Sequence, residues 1–147
     1  MTGGRLAAGF FMGLAMLGAM VTYLDEAGFE KIEWPPALLA AAIIGFVTGW
    51  SQLGGALGRD FMESGAFGVG AAIIGLVFFA MLYGMRSAYI THTTVQFNQA
   101  IDVIAHILDV GIKVISAIIA SKKTMAAFVV GALITGILSE YFHRIWR

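Results

Sequence analysis

The chain has 147 residues, of which 59% are hydrophobic and 12% charged, with a formal net charge of zero and a mean hydropathy of +0.86. That balance excludes an ordinary soluble domain, and the neutral charge gives no reason to expect a nucleic-acid partner. Cysteine is absent, which excludes disulfides, thiolate metal sites and iron–sulfur clusters.

The first apolar run, Leu6–Leu24, is long enough to cross a hydrocarbon core of about 30 Å. It is too long for the apolar region of a secretory leader and no clear A-x-A site follows, so an uncleaved span over residues 6–24 is expected. Gly9 and Gly13, then Ala15 and Ala19, sit four apart, a spacing that lets helix backbones approach closely in lipid. The segment after it carries Asp25, Glu26, Glu30 and Glu33 against Lys31 and reads as an acidic solvated loop. Trp34 is an interface anchor, and Pro35–Pro36 open the second span, over residues 37–58, where missing N–H donors cost nothing.

Span two holds Gly45 and Gly49 at the same spacing, followed by a second anchor, Trp50. The glycine-rich connection after it lacks the Gly-Lys-Ser/Thr of a phosphate loop, and Arg59, Asp60 and Glu63 read as a solvated turn. Span three covers residues 64–85, with Gly68 four before Ala72 and Ala71 four before Gly75. Span four covers residues 124–141, with Ala127 and Gly131, then Ala132 and Gly136, before an anchoring tail that includes Tyr141 and Trp146. Repeated small-residue pairs predict a tightly packed bundle, or docking against other membrane-protein subunits or further copies of the chain.

Between spans three and four, residues 95–121 carry a different pattern. Asp102, His106, Asp109, Lys113 and Ser116 recur at alternating intervals of four and three, a helical period that gathers them on one stripe. Thr93 or Thr94 is the expected N-cap, with Lys122 and Lys123 at the negative end of the dipole. Inserted across lipid, Asp102, Asp109 and Lys113 would cost about 3 kcal/mol each, while the Ile, Val and Leu residues return about half a kcal/mol each. The balance is slightly unfavourable, and an interfacial amphipathic helix with its stripe in water is expected. The fold class is therefore an all-α membrane protein with four transmembrane helices plus one interfacial amphipathic helix before the last span.

Asp102, His106 and Asp109 could converge on a divalent ion, but Lys113 offers Asp109 an i,i+4 ion pair instead, so no metal or other cofactor is expected. His92 and His143 have no spaced partner. No nucleophile–base motif is visible and no charge sits mid-span, which argues against an enzyme and against a stand-alone pump or channel. Four basic residues fall on the N-terminal side of a four-span arrangement (Arg5, Arg59, Arg144, Arg147) and five on the other (Lys31, Arg86, Lys113, Lys122, Lys123), so the expected cytoplasmic N-terminus leans on the acidic first loop.

The segment Gly45–Trp50 (GFVTGW), the turn Gly54–Arg59 (GGALGR) and the ending Val130–Arg147 (VGALITGILSEYFHRIWR) resemble the TrgA-type tellurite-resistance family of small alphaproteobacterial inner-membrane proteins. The resemblance implies a non-catalytic multi-pass protein of the bacterial inner membrane, linked to tellurite tolerance, with membrane lipids around it. An accessory or assembly subunit of a larger respiratory or photosynthetic complex is the alternative. A small oligomeric transporter, its path lined by the stripe from Asp102 to Lys113, is a further one.

Overall fold

A backbone in hydrocarbon must satisfy its own N–H and C=O groups, so long apolar runs close into helices. The computed structural model describes residues 2–28, 34–94 and 99–146, with side chains for all of these except 2 and 92–94. These residues form helices α1 (Thr2–Glu26), α2 (Trp34–Thr48), α3 (Phe61–Thr94), α4 (Ala100–Ala120) and α5 (Lys122–Ile145), and no strand. All five are long and apolar enough to cross a membrane, α2 being counted together with a π-helical turn, Gly49–Leu53, that continues it.

Helix ends depart from the apolar runs where something other than hydropathy sets them. Span two was expected over 37–58, yet regular helix begins at Trp34 and stops at Leu53. Thr48 Oγ1 donates back to the Ile44 carbonyl at 2.8 Å, and Gly54 N–H reaches five residues back to the Gly49 carbonyl at 2.7 Å, widening the last turn. Helix α3 runs well beyond the expected residue 85, to Thr94. At 1.5 Å per residue its 34 residues span about 51 Å, well above the roughly 30 Å of a hydrocarbon core. Thr94 is thus still inside α3, and the residue before α4 is Gln99, whose side chain makes no cap bond. Lys122 and Lys123 open α5 rather than close α4, because Ser121 ends one helix and caps the next: its Oγ accepts from Thr124 N–H at 3.0 Å. Residues 95–98, and Glu30, Lys31, Glu33 and Arg147, lie outside the described residues.

Close approaches fix the directions. A Cβ on Gly4 would lie 2.7 Å from His143 Nδ1, and one on Gly131 3.3 Å from Ala15 Cβ, so α1 and α5 are antiparallel and the start of α1 meets the end of α5. Gly9 faces Phe46 and Gly13 faces Ala42, which makes α1 and α2 antiparallel too. The beginning of α3 packs on the end of α5, with Gly68 on Ala132 and Gly136. The inner face of α1 is a methionine ladder, Met12, Met16 and Met20, each at most 4% exposed, whose flexible thioethers fill the irregular space between neighbours.

Helix α4 packs lengthwise on the far half of α3. Gly84 meets Ile107, Gly111 meets Ala80, Ser87 meets His106, and Ile118 reaches the level of Leu76 and Phe79. Contact held over that many residues of both helices requires an antiparallel pair and not a crossing. Since α5 is also antiparallel to α3, α4 and α5 run in the same direction, joined by Ser121 alone. Together they form one broken helix laid against α3.

Candidate functional site

Three features stand out from the apolar packing: a carboxylate knot at each end of the α1–α5 pair, and the exposed faces of α4.

The first knot is built on Glu140, near the C-terminus of α5 and only 1% exposed. Gly58, with φ of +96° that glycine alone adopts freely, turns the α2–α3 connection so that its N–H donates to Glu140 Oε2 at 2.8 Å. Ser64 Oγ, in the first turns of α3, donates to the same oxygen at 3.3 Å. Arg144, one turn along α5, donates through Nε to Oε1 at 2.9 Å, and its Nη2 donates to the Arg59 carbonyl at 2.9 Å. The guanidinium also lies 4.2 Å from the Phe61 ring centroid, and Arg59 sits 4.6 Å from that of Phe67. The carboxylate therefore joins two helices and a loop, and Arg59 is no isolated solvated charge.

The second knot is Glu26, the last residue of α1. Ser121 Oγ and Thr124 Oγ1 both donate to its Oε2, the latter at 3.2 Å, and Lys123 Nζ lies 4.0 Å from Oε1. It ties the end of α1 to the break between α4 and α5. The expected solvated acidic loop thus contains a residue that holds helices together. Neither knot presents an uncompensated group for chemistry: among the described residues, no buried side-chain nitrogen or oxygen lacks a partner.

Helix α4 divides into three faces, roughly 95° to 155° apart at 100° per residue. One is the polar stripe. Asp102, Asp109, Lys113 and Ser116 are exposed, and Lys113 Nζ donates to Asp109 Oδ2 at 2.6 Å. His106 lies at its edge, 3.1 Å from Ser87 Oγ, the tautomer deciding which donates. With Asp109 turned to Lys113 and His106 toward α3, the three candidate ligands are not brought together, and no group of three His, Asp or Glu is poised for a metal among the described residues. The second face, Gly111, Val114 and Ile118, is buried on α3 and its surroundings. The third is apolar and open: Ile101, Ile104, Leu108, Ile112 and Ile119 are each more than half exposed, Ile112 at 66%.

The glycines singled out by spacing all lie against neighbouring helices of the same chain. A Cβ on Gly45 would fall 2.7 Å from the Met12 carbonyl, and Gly49 abuts the Ala8 carbonyl. Gly136 abuts the Ser64 carbonyl and Gly68 the Ala132 carbonyl, while Gly75 faces Thr48 and Met16. Of the anchors, Trp50 rests against Phe46 in the π-helical turn, Tyr141 and Trp146 are about half exposed at the end of α5, and Trp34 packs partly against the core. The sequence reading does not single out Glu140, Ser64 or Ser121, and it places Glu26 in a solvated loop. The local signal was the i,i+4 pair Glu140–Arg144 on an otherwise apolar helix, which marks a charge with a partner but not its burial.

Fold and side chains define an all-helical protein whose helices are of membrane-crossing length and composition. Comparison of the chain with known protein families, with curated proteins and with solved structures finds no match.

Proposed function

We propose that the protein is a non-catalytic, four-crossing protein of the bacterial inner membrane, of the tellurite-resistance type it resembles, and that it serves as an accessory subunit docked to a larger membrane complex through α4. The observation that carries this reading is the third face of α4, a row of isoleucines and a leucine that no described residue covers, beside a water-compatible stripe. The glycine faces, the other docking candidates, are taken up by the chain's own packing.

Helix direction supports the reading of four crossings. Two consecutive helices running the same way cannot both traverse the bilayer in full, so α4 and α5 together account for one crossing and an extension. The start of α1 lies beside the end of α5, as an even number of crossings requires. Helix α4 then sits at one membrane boundary, alongside the projecting end of α3, with its polar stripe in water. Arg5, Arg59 and Arg144 gather at the end bearing the starts of α1 and α3, where a Cβ on Gly54 would lie 2.8 Å from the Arg5 side chain. At the other end Lys113 and Lys123 face Asp109 and Glu26. Arg86 and Lys122 also lie toward that end, so the proposed cytoplasmic N-terminus rests on Asp25 and Glu26 where α1 ends rather than on a count of basic residues.

The test is co-migration. Full-length tagged protein, extracted in mild detergent, is expected to run with one larger membrane complex at fixed stoichiometry. Leu108→Glu with Ile112→Glu should release it while leaving the helix content unchanged. A parent protein that runs alone, or a double variant that stays bound, would refute the docking role.

A further inference from the structure

The end of α1, the start of α2 and the middle of α3 line a cavity of about 280 Å³, near the lower limit of small-molecule sites. Its walls are apolar: Leu24 from α1, Ala37 and Ala40 from α2, Phe79 from α3. The space exists because α2 presents alanines three residues apart where larger side chains would reach Phe79. Walls facing a void forgo the dispersion contacts that fill a packed interior, so an apolar occupant gains on entry. Tyr83 and Arg86 complete the lining one and two turns further along α3.

We propose that this cavity binds an anionic amphiphile, with an acyl chain against Phe79 and the alanines and an acidic headgroup on Arg86.

Level and charge both point to that class. The cavity lies where α1 ends in Asp25 and Glu26 and α2 begins at Trp34, the chain's transition from apolar to charged and therefore the headgroup layer of a bilayer. Arg86 follows more than twenty uncharged residues of α3, is exposed, and has no ion-pair partner among the described residues. The carboxylate of Glu26 at the same end is already engaged by Ser121, Thr124 and Lys123 and does not neutralise it. A guanidinium offers a planar fork that fits a carboxylate or a phosphate and is always charged. A neutral chain would fill the cavity but leave that fork empty.

A phospholipid phosphate and a fatty-acid carboxylate share this chemistry, and the experiment separates them. Delipidated full-length protein in dodecyl maltoside is mixed with dioleoyl phosphatidylglycerol, dioleoyl phosphatidylcholine or oleate, and retained adducts are counted by native mass spectrometry. Expected is one tightly held adduct of an anionic species. Retention of phosphatidylglycerol assigns the site to a phospholipid, and retention of oleate alone assigns it to a free fatty acid. Arg86→Gln should weaken anionic binding about tenfold by removing the charge-assisted contact. Ala40→Phe should block the cavity for every probe, and Arg59→Gln at the opposite end should change nothing. Thermal melts in the same detergent check that each variant is folded. Equal retention of phosphatidylcholine and phosphatidylglycerol, no retained adduct, or a folded Arg86→Gln variant that binds as the parent does would each overturn the proposal.

Discussion

Glu140 holds three polar partners in a buried site, and its worth lies in what its removal would strand. In Glu140→Ala the Gly58 N–H and the Ser64 hydroxyl lose their acceptor in a buried site, and Arg144 loses its carboxylate. Deleting one partner of a buried charged pair costs several kcal/mol, but Arg144 is half exposed and water takes up part of the loss. The expected destabilisation is about 2 kcal/mol, read as a lower unfolding midpoint in detergent. Lys113→Ala, which breaks a pair with both members mostly exposed, should stay within about 0.5 kcal/mol in the same assay. Equal effects from the two variants would show that the Glu140 knot is no staple. The Lys113–Asp109 pair is legible in the sequence as an i,i+4 pair, whereas the Glu140 knot is not. Gly58 and Ser64 are 82 and 76 residues from Glu140, so no local pattern joins them.

At the scale of elements, the α3–α4 pair rests on bare backbone. Gly84 lies against the Ile107 carbonyl, and Gly111 packs at van der Waals distance from Ala80. A leucine at Gly84 would drive the helices apart, whereas Gly70, with nothing near it, has room for a side chain. Because the chain has no cysteine, a single reporter thiol can follow this. Ile118→Cys, at a position 2% exposed, should resist a membrane-permeant maleimide in the parent background and with Gly70→Ala, and react several-fold faster with Gly84→Leu. Unchanged protection would mean that α4 is held by something other than this seam. The helical period of α4 was legible because Asp102, His106, Asp109 and Lys113 interrupt an apolar helix at regular intervals. Its seam with α3 was not. Val114 and Ile118 are buried and Ile112 and Ile119 are open, yet all four are aliphatic, and periodicity separates polar from apolar without telling one apolar face from another.

For the whole molecule, the same limit decides how crossings are counted. Hydropathy located the runs in α1, α2, α3 and α5, since each must be apolar over the width of a bilayer. It cannot tell a crossing from an equally apolar helix folded back along a neighbour, and α4 passes every length and composition criterion that the others pass. The proposal of four crossings rests on direction, and direction came from glycine contacts between residues far apart in sequence. The proposed four-crossing arrangement has a consequence that a fifth crossing would reverse. With four, both chain ends lie on one side of the membrane, together with the Gly58 turn, while Ser121 lies on the other. Single cysteines at Gly55 and Ser121 in intact cells should then label from opposite sides with a membrane-impermeant maleimide, and N- and C-terminal reporter fusions should agree with each other and with Gly55. A fifth crossing through α4 would put the two fusions on opposite sides. It would also have to pull α4 away from α3 or turn α5 over, breaking the Glu26 and Glu140 knots. Those knots bind α1 to the start of α5 and the start of α3 to its end, so they hold α5 in the direction that keeps the two termini together.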